Sequence, residues 1–142
     1  MKYNKEENWK YYIIENNIVA IKYLLDNNLI NVNIQDDYGW TPLIYATAWE
    51  KIDIVKLLLS YKDININIQN KWGRTALIYA SRNNNIKIVK LLLNHPDINI
   101  FLKGENDKTS LNWVKYFNYK EIETLLINHD RREKLKLLKH VY

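Results

Sequence analysis

The sequence repeats itself, and that constrains the fold more than any other property of the chain. Residues 38–46 read YGWTPLIYA and residues 72–80 read WGRTALIYA. Residues 52–60 read IDIVKLLLS and residues 86–94 read IKIVKLLLN. The offset is 34 residues in both segments, from Gly39 to Gly73 and from Leu57 to Leu91. Carried forward, this register sets Thr109, Leu111, Leu125 and Leu126 under Thr75, Leu77, Leu91 and Leu92. Carried backward, it sets Leu24, Leu25, Val32, Asn33, Ile34 and Gln35 under Leu58, Leu59, Ile66, Asn67, Ile68 and Gln69. Units this short cannot bury an apolar face alone, so they must stack on one another and share a core.

Within each unit the order is turn, helix, turn, helix, loop. Thr41, Thr75 and Thr109 are placed to cap a first helix, each hydroxyl accepting a first-turn N–H. Pro42 follows at the first helical position, where its missing donor is not needed. Gly39 and Gly73 fall in the tight turn before the cap, a place that calls for positive φ. Asn16, Asn84 and Asn118 mark the end of the first helix, since asparagine tolerates the left-handed conformation. Glu50 breaks that column, so a differently shaped turn is expected in the second unit. The second helix carries Ile54, Val55, Leu57, Leu58 and Leu59, too apolar all round for a surface helix, and must be sandwiched between neighbours.

These residues resemble the ankyrin repeat, with its Gly-x-Thr-Pro-Leu, its small residues, its Ile-Val-x-Leu-Leu-Leu and its Val-Asn. The resemblance spans residues 1–128, strongest in the two central units. It departs in three ways. Ile44 and Ile78 stand where the family has histidine. The period is 34 rather than 33, the extra residue lying near Asp63 and Asp97. The family's alanine pair is Ala46-Thr47 and Ala80-Ser81, but Val114-Lys115 in the last unit. The resemblance implies an all-α ankyrin-repeat solenoid of four helix-turn-helix units with projecting hairpin turns and a C-terminal capping helix. Its expected divisions are residues 1–35, 36–69, 70–103 and 104–129, with the cap at 130–142. Polar Lys5, Glu6, Glu7 and Lys10 are expected to close the first unit. Arg131 to Lys139, with Leu135, Leu138 and Val141 at helical spacing, is expected to form an extra helix over the open face of the fourth.

Catalysis finds little support. The three histidines, His95, His129 and His140, have no nucleophile beside them in the sequence. Two of the three glycines are turn residues, which leaves no phosphate-cradling loop. No Cys/His cluster has metal spacing, so neither metal nor cofactor is expected. With no cysteine there is no disulfide framework. The opening Met1 to Glu7 lacks an apolar core, and no apolar run has the length of a membrane span. The expected setting is intracellular, in the cytoplasm and away from membranes, and the expected state a monomer. Almost all of the +5 charge sits in residues 131–142, where Arg131, Arg132, Lys134, Lys136 and Lys139 face only Glu133. The excess is therefore a terminal feature rather than a basic face along the body.

The resemblance implies a protein-binding module that contacts its partner through turn tips and the ends of first helices. Mapped onto this chain, these positions are Asp37, Tyr38, Trp40, Ala48 and Trp49 in the second unit. In the third they are Lys71, Trp72, Arg74, Arg82 and Asn83. In the fourth they are Glu105, Asn106, Lys108, Tyr116 and Phe117. Tyr38, Trp40, Trp49, Lys71, Trp72, Arg74, Arg82, Tyr116 and Phe117 are the expected contacts, because Trp, Tyr and Arg anchor interfaces. Tyr11, Tyr45, Tyr79 and Trp113, also 34 apart, read instead as rings stacked along the array. Two alternatives remain: nucleic-acid binding through aromatic stacking, Arg74, Arg82 and the basic tail, and a structural spacer whose concave face stays empty.

Overall fold

The threonines, asparagines and glycines do locally what their positions predict, and the helices follow from them. The structure is a computed structural model and describes residues 8–141. Lys5, Glu6 and Glu7 of the expected polar start lie outside the described residues. Among the described residues eight α-helices form four successive pairs: α1 (Trp9–Ile14) with α2 (Ile18–Asp26), α3 (Pro42–Ala48) with α4 (Ile52–Leu59), α5 (Ala76–Arg82) with α6 (Ile86–Leu93), and α7 (Ser110–Phe117) with α8 (Lys120–Lys139). Every other regular element among the described residues is a single 3-10 turn, Glu105–Asp107.

Thr41 Oγ1 accepts from the Ile44 amide at 3.1 Å, and Thr75 Oγ1 from the Ile78 amide at 3.2 Å. Thr109 does the same for Asn112, whose side chain returns the favour to the Thr109 amide as a capping box. First helices stack on first helices, α3 between α1 and α5, and α5 between α3 and α7. Second helices form a parallel layer in the order α2, α4, α6, α8. Ile21, Ile54, Val55, Leu58, Ile88, Val89, Leu92, Ile122 and Leu126 fill the space between the layers, all buried. Ala46 and Ala80, fully buried, let adjacent first helices approach. One continuous core results, as the interlocking Leu, Ile and Val side chains require.

Two expectations are corrected. Glu50 does not reshape its turn. Its φ of 56° matches Asn16 at 55°, Asn84 at 53° and Asn118 at 61°. Its amide donates to Thr47 at 3.1 Å, and the Lys51 amide to Ala46 at 2.7 Å, the two bonds of a Schellman closure. Tertiary packing has imposed the left-handed conformation on a residue that does not favour it, with Asn85 Nδ2 donating to Glu50 Oε1 at 3.0 Å. Glu50→Asn should therefore stabilise the protein by about 0.5–1 kcal/mol in urea denaturation. No gain would mean that the lost Asn85 contact outweighs the relief of backbone strain.

The C-terminal segment is the second correction. The cap expected at 130–142 is not a separate helix among the described residues: α8 runs unbroken from Lys120 to Lys139. Residues 131–141 are exposed throughout, Leu135, Leu137, Leu138 and Val141 included, so this stretch extends past the fourth unit instead of covering it. The physical reason is that a change from apolar to charged side chains alters a helix surface but supplies no backbone stop. Between Lys120 and Lys139 there is neither Gly nor Pro.

Candidate functional site

The hairpin turns are built by one side chain each. Asp36 Oδ1 accepts from the Tyr38 amide at 3.0 Å and the Trp40 amide at 2.9 Å. Asn70, one period later, accepts from the Trp72 and Arg74 amides, both at 3.0 Å. Asp36 Oδ2 also accepts from the Tyr45 hydroxyl at 2.7 Å, while Asn70 Nδ2 donates to the Tyr79 hydroxyl at 3.1 Å. The Asp36 side chain is only 3% exposed, with Lys10 Nζ 3.7 Å away. Burial alone would raise its pKa, but the Tyr45 hydroxyl, the Trp40 and Tyr38 amides and Lys10 together hold it below the ordinary value. Asp36 is thus a structural anion that fixes the turn to the first helix. Neighbouring turns are joined by the Lys71 amide, which donates to the Tyr38 carbonyl at 3.0 Å.

This framework sets out an aromatic surface in three parts. At the tips, Tyr38 and Trp72 stack across the unit boundary with centroids 6.0 Å apart and planes 22° apart. Both are exposed, and Lys71 Nζ lies 5.8 Å from the Tyr38 ring. In the middle, Trp40 stands between Tyr45 at 5.0 Å and Tyr79 at 4.9 Å, with Trp49 at 5.7 Å. At the far end, Trp113, Tyr116, Phe117 and Tyr119 form a chain of ring contacts. Tyr116 is the most open of these, at 78% exposure.

Two arginines lie among the rings with different partners. Arg74 forms an ion pair with Glu105 and sits 5.7 Å from the Tyr79 ring, although its Nε is buried without a hydrogen-bond partner. Arg82 lies 4.4 Å over Trp113, and its Nη1 is likewise buried and unpartnered. Burial first, then Arg74, lowers the Arg82 pKa, while Glu105 and Tyr79 pull the other way. An unpaired buried N–H of this kind costs about 1–3 kcal/mol.

The nine expected contacts thus divide. Tyr38, Trp49, Lys71, Trp72, Tyr116 and Phe117 are exposed, whereas Trp40, Arg74 and Arg82 are half-buried. Trp40 is held by three rings, which makes it a structural wedge as much as a surface group. The column Tyr11, Tyr45, Tyr79, Trp113 is not a direct stack. Trp40 bridges Tyr45 and Tyr79, and Tyr11 is 60% exposed with Tyr12 as its ring neighbour. Sequence reasoning assigned Trp113 to that column, yet the structure joins it to the surface through Arg82 and Phe117. Its signal was the 34-residue offset between Arg82 and Tyr116, which sets both at the end of a first helix. Among the described residues no group of three His, Cys, Asp or Glu side chains could hold a metal ion. No helix among them is long and apolar enough to cross a membrane.

A stack of helix pairs with linked hairpin turns and a side-chain surface along its first helices defines a repeat solenoid. Comparison with family models gives that class its name: a model described as ankyrin repeats (3 copies) matches residues 4–70, and one described as ankyrin repeats (many copies) matches residues 48–93. The chain belongs to the ankyrin-repeat family. No curated protein matches it significantly. Ankyrin repeats are in general protein–protein interaction modules and typically lack enzymatic activity.

Proposed function

We propose that this chain captures a protein partner on the turn tips and the exposed ends of its first helices. The supporting observation is that exposed aromatic rings and cations run across three successive units, from Tyr38 and Trp72 to Tyr116 and Phe117. Large rings bury much area with few rotatable bonds, which suits them to anchor an interface. Arg82 adds a preference, since its half-buried guanidinium over Trp113 has no ion-pair partner among the described residues and a carboxylate from the partner would pair with its accessible edge. Binding would then be strongest for a partner that presents an acidic side chain beside an apolar one.

The test begins with a partner identified by crosslinking and affinity capture. Trp72→Ala with Tyr116→Ala is the informative pair, because both rings are exposed and neither is wedged into the core. Affinity should fall by about thirtyfold, the loss expected if the two rings together contribute about 2 kcal/mol. Stability should change by no more than about 1 kcal/mol. Affinity unchanged in the double variant would remove this surface from the interface. Binding to nucleic acid with an affinity that collapses as salt rises would favour the alternative mode instead. Capture of nothing by the intact surface would favour the spacer.

A further inference from the structure

Where α6 ends and the basic half of α8 passes beside it, the surface folds into a cleft of about 280 Å³. One wall is the loop at residues 93–96, which includes His95; the other carries His129, Arg132, Glu133 and Lys136. This cleft lies on second-helix and loop elements and shares no residue with the aromatic surface. His129 is the notable member. It is only 8% exposed, and no hydrogen bond from a described residue reaches its imidazole. Its ring is mostly packed away, and a ligand in the cleft would give its nitrogens the hydrogen-bond partner that no described residue supplies.

The charges around it point to an anion. The acids of this part of α8 are already engaged, Asp130 by Lys134 and Glu133 by Lys136, each at 2.7 Å. Arg132 has no ion-pair partner among the described residues. His95 Nδ1 accepts from the Asp97 amide at 3.2 Å, which leaves its Nε2–H as the free donor. The walls therefore offer a planar guanidinium, two imidazoles and the Lys136 ammonium, which an anion would share with Glu133, the donor types that surround phosphate oxygens. A metal would meet Arg132 and Lys136, which repel it. A carboxylate ligand would use fewer of these donors than a tetrahedral dianion. The volume exceeds that of the bare phosphate group and leaves room for the first atoms of its carrier.

We propose that this cleft binds the phosphate group of a phosphate monoester, held by Arg132 and Lys136 with His129 and His95 as further donors. His129 couples that binding to pH. Burial holds the free imidazole below its usual pKa; Arg132 and Lys136 on the same helix add to the effect, and Glu133 and Asp130 oppose it. His95 is the titratable group facing it from the opposite wall. A bound dianion reverses the balance by favouring imidazolium. Phosphate should therefore raise the His129 pKa, and affinity should increase as pH falls through that raised value, until protonation of the phosphate itself, with a second pKa of about 6, opposes it.

The test is titration of the full chain, followed through the imidazole resonances by nuclear magnetic resonance at constant ionic strength. The probes are inorganic phosphate, phosphoserine and a phosphoserine peptide, with sodium acetate as the control. The expected result is a saturable shift of His129 with an upward change in its pKa, while exposed His140 stays in place. Arg132→Gln, on an exposed side chain, should weaken phosphate binding by about tenfold with the rest of the spectrum preserved. A peptide that binds more tightly than inorganic phosphate and phosphoserine would name a phosphorylated protein as the source. Tightest binding by phosphoserine, or equal affinity across the three, would name a small molecule. The proposal is overturned if His129 shifts no more than His140, if acetate reproduces the shift, or if Arg132→Gln leaves it unchanged.

Discussion

Leu58→Ala should remove about 2–5 kcal/mol of stability, the range for truncating a fully buried leucine in a core that cannot collapse around the gap. Leu58 has no exposure and lies in α4, which is flanked by α2 and α6. The site is severe for a reason specific to stacked arrays. A unit in the middle of the stack contributes to two interfaces, so one cavity weakens its contact with the units before and after it. A protein of this size has about 5–15 kcal/mol of stability in all, so the loss removes a large part of it. Leu57→Ala supplies the comparison. Leu57 is half-buried at the margin of the same core, and its truncation should cost clearly less. Urea denaturation followed by far-ultraviolet circular dichroism measures both. Equal losses for Leu57 and Leu58, or a loss below about 1 kcal/mol for Leu58, would contradict the packing described above.

How far the sequence discloses such positions depends on whether the physical cause is local. The threonine caps, the glycine turns and the leucine stripe each act within one unit, so a 34-residue comparison finds them and the fold with them. Glu50 shows the first way local reasoning fails. Its own preference argued for a different turn, but the buried faces of α3 and α4 on either side leave the chain one route, and the backbone follows the packing. Trp40 shows the second. Its position marks it as a turn-tip residue, yet Tyr79 of the next unit reaches it at 4.9 Å and draws it partly inside. The end of α8 shows a third, because a run of charge sets no boundary where only a backbone signal can make one. The candidate surface was legible as positions. Which rings remain open after neighbours have packed is a property of the stack and not of any one repeat.

Gly39→Ala is the second large effect, and its cause can be separated from the usual account of turn glycines. Gly39 has φ of 77° and Gly73 of 70°, a region where a Cβ costs about 1–3 kcal/mol. That strain is only part of the requirement. A Cβ on Gly39 would lie 3.1 Å from Asn70 Cα and 3.2 Å from the Lys71 amide nitrogen, the backbone of the next hairpin. On Gly73 it would lie 3.1 Å from both Gly104 Cα and the Lys103 carbonyl oxygen. The fourth unit provides the internal control. Asp107 occupies the same register position at φ of 60°, with no further hairpin described beyond it, and there a full side chain is accommodated. The close approach of successive turns, added to the dihedral, is therefore what demands glycine. Gly39→Ala should combine the strain with an overpacking penalty of about 1–3 kcal/mol. It should also disturb the Lys71 to Tyr38 hydrogen bond that joins the turns, visible as faster hydrogen exchange at the Lys71 amide. Asp107→Gly, which relieves the dihedral without opening any contact between turns, should shift stability by no more than about 1 kcal/mol. If Gly39→Ala cost no more than an isolated left-handed alanine, with Lys71 exchange unchanged, the turns would not be in the contact that links one unit to the next.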